Sequence, residues 1–299
     1  MPPANSPGRH TFAALDGTKL AYQMVGNGEP LVCLPGGPMQ AADYLGNLGG
    51  LSAHRQLIRL DLRGTRDSAI PADPASYRCD RLVDDVECLR GHLGVERLDL
   101  LGHSAGANLA ELYAARHPDR VGKLLLITPS VAAVGVTVST TVRLATAGLR
   151  RNEPWFPMAF AALQSLVASD ATPAAAEAVT PFFRGRWDEA AQTRRATDQR
   201  QRNDEAAAAF RADGAFDPPA TRAALAQFVS PVLVLAGALD VNSPPPAMAE
   251  LATLFPLAKL VIQPDAGHYP WPTTPTASSP PSPRSCDDRH SWPPAVSRG

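Results

Sequence analysis

Short apolar runs punctuate the chain, with helix-length intervals between them. They are Leu31-Val32-Cys33-Leu34, Leu57-Ile58-Arg59-Leu60, Leu98 to Leu101, Leu124-Leu125-Leu126-Ile127, Val232-Leu233-Val234-Leu235 and Leu260-Val261-Ile262. Continuous apolar character, rather than alternation, suits parallel strands covered on both faces. Between the second and third runs, Leu82, Val83, Val86, Leu89 and Leu93 form a helical stripe, with Asp80 expected as its N-cap. Further upstream, Thr11 to Tyr22 and the turn signals Asp16-Gly17 and Gly26-Asn27-Gly28 predict an initial antiparallel hairpin. The pattern predicts an α/β fold built on a mostly parallel, doubly wound sheet.

One interval breaks the rhythm. About 100 residues separate the strand ending near Thr128 from the one starting near Val232, far more than the dozen or so a crossover needs. This stretch is alanine-rich and interrupted by Pro154, Pro157, Pro173, Pro181 and Pro218-Pro219, which predicts an inserted helical cap. The expected organisation is a core of residues 1–130 and 229–271, a cap of 131–228 and a tail of 272–299. The cap's aromatic clusters, Trp155-Phe156 and Phe182-Phe183 with Trp187, are read first as packing and second as a pocket lining.

Composition narrows the partners. A formal charge of −1 gives no electrostatic reason to expect nucleic acid or an anionic membrane. No apolar run reaches the roughly 18 residues of a spanning helix, and the first residues carry no apolar leader, so a cytoplasmic protein is expected. Cys33, Cys79, Cys88 and Cys286 lack metal-ligand spacing and are read as buried free thiols. There is no His-Glu-x-x-His and no P-loop, and Gly26-Asn27-Gly28 lacks a dinucleotide-binding setting. No cofactor and no metal are therefore expected, and the substrate is expected to be a small molecule or short peptide.

The chemistry centres on Gly102-His103-Ser104-Ala105-Gly106, a Gly-x-Ser-x-Gly pentapeptide between an apolar run and a helix-compatible segment. That setting predicts a strained turn projecting Ser104 from a strand end, with glycines where side chains would strike backbone. A serine hydroxyl needs a base, and the base needs an orienting acid. Asp240 follows the run Val232 to Leu235, and His268 follows Leu260 to Ile262, so acid and base come after the serine in the required order. Asp265 is the rival acid; three residues from His268, it is read as shaping that loop. His103 is read as structural, and His10, His54, His92, His117 and His290 as solvated. An oxyanion would need backbone N–H donors, from Ala105 and from the loop Pro35-Gly36-Gly37-Pro38.

The elbow, together with Pro35-Gly36-Gly37-Pro38, Asp61-Leu62-Arg63-Gly64, Gly237-Ala238-Leu239-Asp240 and Gly267-His268-Tyr269-Pro270-Trp271, resembles the α/β-hydrolase superfamily. Within it the chain is most similar to the proline iminopeptidase-like branch, over roughly residues 12–271. The resemblance implies the α/β-hydrolase fold with Ser104 as nucleophile, His268 as general base and then acid, and Asp240 as orienting acid. It also implies Gly37 and Ala105 as oxyanion donors. Three departures stand out. Pro35 replaces the family's histidine, Arg66 replaces a glycine in its Asp-x-Arg-Gly-x-Gly pattern, and no single acidic cap residue presents itself for a substrate's free amine. The candidates are Glu153, Asp170, Glu177, Asp188, Glu189, Asp204 and Glu205, and arginines balance them.

After Trp271 the family would continue into an amphipathic helix, whereas here a Pro/Ser/Arg-rich tail follows. Its composition predicts disorder. A reading-frame shift near codon 271 is the sharper expectation. The family's Asp-Asp-Pro, coded GAC GAC CCx, reads Thr-Thr-Pro when entered one base late, and the gene's other frames would then encode the missing helix. Without that helix, reduced stability beside the His268 loop is expected. The readings that follow are an iminopeptidase-like serine hydrolase, an esterase or lactonase of the same fold, or a catalytically impaired binding homologue.

Overall fold

A computed structural model of the chain describes residues 8–168, 172–199 and 201–273. Its framework is an eight-stranded sheet: β1 (Gly8–Ala13), β2 (Lys19–Val25), β3 (Pro30–Leu34), β4 (Gln56–Asp61), β5 (Leu98–His103), β6 (Val121–Ile127), β7 (Val232–Gly237) and β8 (Ala258–Gln263). The spatial order is β1-β2-β4-β3-β5-β6-β7-β8. β1 and β2 form the expected hairpin through the Asp16-Gly17 turn. The second turn signal does not make another hairpin: β2 pairs antiparallel with β4, and β3 lies beyond it. From β4 to β8 every pairing is parallel. The carboxyl ends of β3, β5, β6, β7 and β8 therefore share one edge. Strand order reverses between β3 and β5, which opens a crevice at that edge.

The helices follow the apolar stripes. α1 (Cys79–Leu93) buries Leu82, Val83, Val86 and Leu89. Its N-cap is Arg78, not Asp80. Asp80 sits inside the first turn, where its carboxylate suits the helix dipole and receives the Arg78 guanidinium at 2.7 and 2.8 Å. α2 (Ala105–Arg116) is buried along most of its length, and α9 (Pro245–Ala252) covers β7 and β8. Arg63 fixes the β1–β2 turn to α1: its guanidinium makes two 2.6 Å bonds to Asp85 and a third to Asp16. Both partners of the Arg63–Asp85 pair are buried, so removing one would strand a charge at a cost of about 3–5 kcal/mol.

The remaining helices are α3 (Thr140–Gly148), α4 (Phe156–Val167), α5 (Pro173–Ala178), α6 (Glu189–Gln199), α7 (Asp204–Ala209) and α8 (Pro218–Leu225). Ala147, Ala159, Leu163, Val179 and Phe182 close a separate apolar cluster with Trp155 and Phe156 against it. Ala206, Ala207, Phe210, Leu225 and Phe228 instead belong to the main core. On the opposite face of the sheet the cover is thinner, and Leu125, Leu233, Leu235 and Val261 stay half-buried. The expected tail from residue 274 onward, including Cys286 and His290, lies outside the described residues.

Three histidines expected in solvent are built into the fold. His10 stacks on Tyr22, His92 stacks on Phe12 and meets Tyr22 edge-on, and His117 lies against Tyr113. Cys33 and Cys79 are buried free thiols and Cys88 is half-buried. Burial pushes the Cys33 thiol up to about 12. Among the described residues, no helix is long and apolar enough to cross a membrane.

Glu111 violates the usual rules. It is fully buried in α2, and neither carboxylate oxygen has a hydrogen-bond partner among the described residues. Burial holds its carboxyl well above the usual carboxylate range. A folded pKa above the unfolded one means that its contribution is best at acid pH and is lost as pH rises. Glu111→Leu should stabilise the protein by about 1–3 kcal/mol, since it removes an unsatisfied buried polar group of similar size. Thermal melts at pH 5 and pH 8 check this: the variant's advantage should widen at the higher pH.

Candidate active site

The crevice edge collects one functional loop from each of five strands. After β5 the chain turns abruptly into α2, and Ser104 takes φ 52° and ψ −120°. Such a conformation costs a non-glycine residue about 1–3 kcal/mol and persists only where its surroundings enforce it. The enforcement is close packing. A Cβ on Gly102 would lie 2.7 Å from the Ala107 Cα, and one on Gly106 would strike the Leu34 and Pro35 carbonyls. The Ser104 N–H bonds the Ile127 carbonyl at 3.1 Å, and its own carbonyl accepts from Ser130 at 2.9 Å.

The expected acid and base, Asp240 and His268, follow β7 and β8. Asp240 is fully buried; its Oδ1 accepts from the Asn242 N–H at 2.8 Å, and its Oδ2 lies 2.8 Å from the His268 Nδ1. A carboxylate only accepts, so Nδ1 carries the proton and Nε2 presents its lone pair. That lone pair is 2.8 Å from the Ser104 Oγ, in line to receive the hydroxyl proton. The two loops are tied together by the Leu239 N–H to the Ala266 carbonyl at 2.9 Å. Asp265, the rival acid, is exposed at φ 56° and makes the left-handed turn into the histidine loop.

His268 is also held through its backbone. Its carbonyl accepts from Thr128 Oγ1 at 2.8 Å and from His103 Nε2 at 2.9 Å, and its N–H donates to the Phe183 carbonyl at 2.9 Å. His103 acts as a bridge. Burial pushes its pKa well below the ordinary value, so the neutral ring donates through Nε2 and accepts from the Tyr44 hydroxyl through Nδ1, at 2.6 Å. Tyr44 Oη in turn accepts from the Gly36 N–H at 2.6 Å. The variable residue of the pentapeptide thus couples the loop after β3, the elbow and the histidine loop. Tyr44 and Thr128 carry no sequence signal for this role.

Gly37 and Ala105 line the same cavity as Ser104 and His268. Ala105 is the first residue of α2, so its N–H has no intrahelical acceptor. Gly36 is closed off, because a Cβ there would lie 2.8 Å from the Ser104 Cβ. In the neighbouring loop Arg66 stands at φ 45°, the region that favours the glycine of the family pattern.

The cavity has a volume of about 550 Å³, a size suited to a small-molecule ligand. Phe183 and Tyr269 contribute to its wall, while Trp155, Phe156 and Phe182 pack in the separate apolar cluster. Of the acidic cap residues, Asp204 alone among the described residues lines it. Glu153 pairs with Arg150, Glu177 pairs with Arg195, and Asp188 caps α6. Asp170 lies outside the described residues. Among the described residues, no three His, Cys, Asp or Glu side chains converge as a metal site.

A family model described as the alpha/beta hydrolase fold matches residues 29–273. The chain belongs to that family. Among curated relatives, this α/β hydrolase is 30% identical over 125 residues to a proline iminopeptidase of Heyndrickxia coagulans, covering 41% of the chain and 43% of the relative. It is 38% identical over 103 residues to a human (Lyso)-N-acylphosphatidylethanolamine lipase, covering 33% and 30%. The matches thus span less than half the length of those relatives. Among solved structures, the proline iminopeptidase of Mycobacterium smegmatis superposes with a TM-score of 0.66 at 22% identity, covering 89% of this chain and 93% of that one. A thermophilic esterase from Thermogutta terrifontis gives a TM-score of 0.62 at 24% identity, covering 88% and 92%.

The bracing of His268 can be tested at Thr128. Thr128→Val keeps the shape and branching but removes one of the two side-chain donors to the His268 carbonyl. Looser positioning of the base should lower kcat about tenfold with KM little changed. Steady-state kinetics separates the two parameters, and an unchanged kcat would remove Thr128 from the account.

Proposed function

We propose that this α/β hydrolase is a serine hydrolase that cleaves small carboxylic esters or amides through an acyl-enzyme. The observation that carries this reading is the Ser104–His268–Asp240 relay, with both links at 2.8 Å. Ser104 Oγ attacks the substrate carbonyl carbon as its proton passes to His268 Nε2. Asp240 holds the ring in the tautomer that can accept it and stabilises the imidazolium. The N–H groups of Gly37 and Ala105 take the developing oxyanion. His268 then protonates the leaving group, and water, activated by the same ring, releases the acid. The substrate is a small molecule or short peptide, no metal or cofactor takes part, and the protein works in the cytoplasm.

Between the two substrate types the cavity favours esters. An aminopeptidase must hold a protonated amine, and the described lining offers one carboxylate, Asp204, among arginines. Iminopeptidase-like cleavage is the second reading, supported by the proline iminopeptidases among the relatives.

Pre-steady-state hydrolysis of p-nitrophenyl acetate should show a burst approaching one equivalent of nitrophenol, with the acetyl group on Ser104 by mass spectrometry. Ser104→Ala should lose both, with a fall in kcat of about 10³-fold or more. Proline arylamides assayed in parallel should be poor substrates. Efficient arylamide turnover would move the conclusion to the iminopeptidase reading, and folded protein without burst or turnover would defeat both.

A further inference from the structure

We infer that the substrate carries a negative charge, a carboxylate or comparable anion, beyond the bond that is cut. This rests on the serine hydrolase reading and adds the substrate class. The cavity around Ser104 and His268 is lined by Arg184, Arg195, Arg202 and Arg211, against the single described carboxylate Asp204. A wall with three more positive than negative groups attracts anions and repels a protonated amine.

The arginines approach the reacting centre from different sides, each fixed by backbone. Arg202 stands opposite Gln40 in an isolated antiparallel bridge, flanked by bonds from Ala41 to Gln201 at 2.9 Å and from Asn203 to Met39 at 3.0 Å. It therefore enters beside the loop that carries Gly37. Arg184 directly follows Phe183, whose carbonyl receives the His268 N–H, and its guanidinium lies 3.7 Å from the Tyr269 ring centroid. Arg211 donates to Ser130 Oγ at 3.3 Å, and the Ser130 N–H donates to the Ser104 carbonyl at 2.9 Å. Arg195 enters from α6.

The present partners of Arg195, Arg202 and Arg211 leave capacity for a ligand. Arg211 has no carboxylate partner among the described residues; its one bond is to the neutral Ser130 hydroxyl. Arg202 pairs at 3.2 Å with Asp204, whose side chain is 88% exposed. Arg195 meets the exposed Glu177 at 3.5 Å, and its Nε is buried without a hydrogen-bond partner. Exposed pairs of this kind contribute little and exchange readily for a better-placed anion. A guanidinium offers two parallel N–H donors to a carboxylate, so an anionic substrate would be oriented as well as attracted.

The test compares matched esters with the full chain at low ionic strength. One pair places charge on the alcohol side, 4-acetoxybenzoate against its methyl ester; the other places it on the acyl side, mono-4-nitrophenyl adipate against 4-nitrophenyl hexanoate. 4-Acetoxybenzylamine supplies the cationic case. After correction for spontaneous hydrolysis, the anionic member of at least one pair should exceed its neutral partner about tenfold or more in kcat/KM. The cationic ester should be the poorest. The anionic preference should shrink at about 0.5 M salt, where charges are screened beyond a few ångströms.

Arg202→Gln with Arg211→Gln should collapse the anionic-to-neutral ratio, and Arg211→Lys should restore part of it. Retained fluorophosphonate labelling of Ser104 reports that the variants are folded. Neutral esters equal to or better than anionic ones in both pairs, or a ratio unchanged in the double variant, would overturn the inference alone. Failure of wild-type protein to label at Ser104 would instead overturn the serine hydrolase reading beneath it.

Discussion

The structure depends on one backbone constraint: Ser104 must stay in a conformation that its own sterics disfavour. Isolated, the turn would relax. It is held because α2 packs against the Leu34 and Pro35 carbonyls at Gly106 and turns back on β5 at Gly102, with no room for a Cβ at either place. β3, β5 and α2 therefore form one rigid unit. The same close approach brings the loop after β3 beside the helix N-terminus, where Ala105 has a free N–H. A side chain at either glycine would misplace Ser104 and the Ala105 N–H together.

The topology supplies the rest of the relay. Parallel pairing from β3 to β8 aligns five strand ends, so residues distant in sequence meet with little loop reach. Asp240 and His268 follow adjacent strands, and His103 and Thr128 converge on the same carbonyl from β5 and the end of β6. His268 is fixed from both sides: its ring by Asp240, its backbone by Thr128, His103 and Phe183. Precision at the serine comes from this distributed bracing more than from any single contact.

What the sequence disclosed is what local chemistry can encode. Apolar runs marked six of the strands, and a short turn after three of them placed Ser104, Asp240 and His268 in order. The Gly102 and Gly106 spacing announced the elbow because steric exclusion is a property of neighbouring residues. The misses were tertiary. Asp80 looked like a cap until Arg78 took that place, and His10, His92 and His117 looked solvated until aromatic neighbours packed against them. Tyr44 and Thr128 gave no signal, because a hydroxyl's role depends on what folds against it. Arg184, Arg195, Arg202 and Arg211 seemed balanced by nearby acids in the chain, yet in three dimensions they face the cavity while most described acids point elsewhere. Glu111 reads as an ordinary helical glutamate and proves to be an acid in the core without a hydrogen-bond partner among the described residues.

Activation of Ser104 by His268 and Asp240 is read most simply from the rate at which a fluorophosphonate forms a covalent adduct, mapped by peptide mass spectrometry in the wild type, Asp240→Ala and His268→Ala. A single adduct on Ser104 is expected in the wild type, with rates slowed at least about 10²-fold in both variants. An adduct elsewhere, or equal labelling rates in all three proteins, would contradict it.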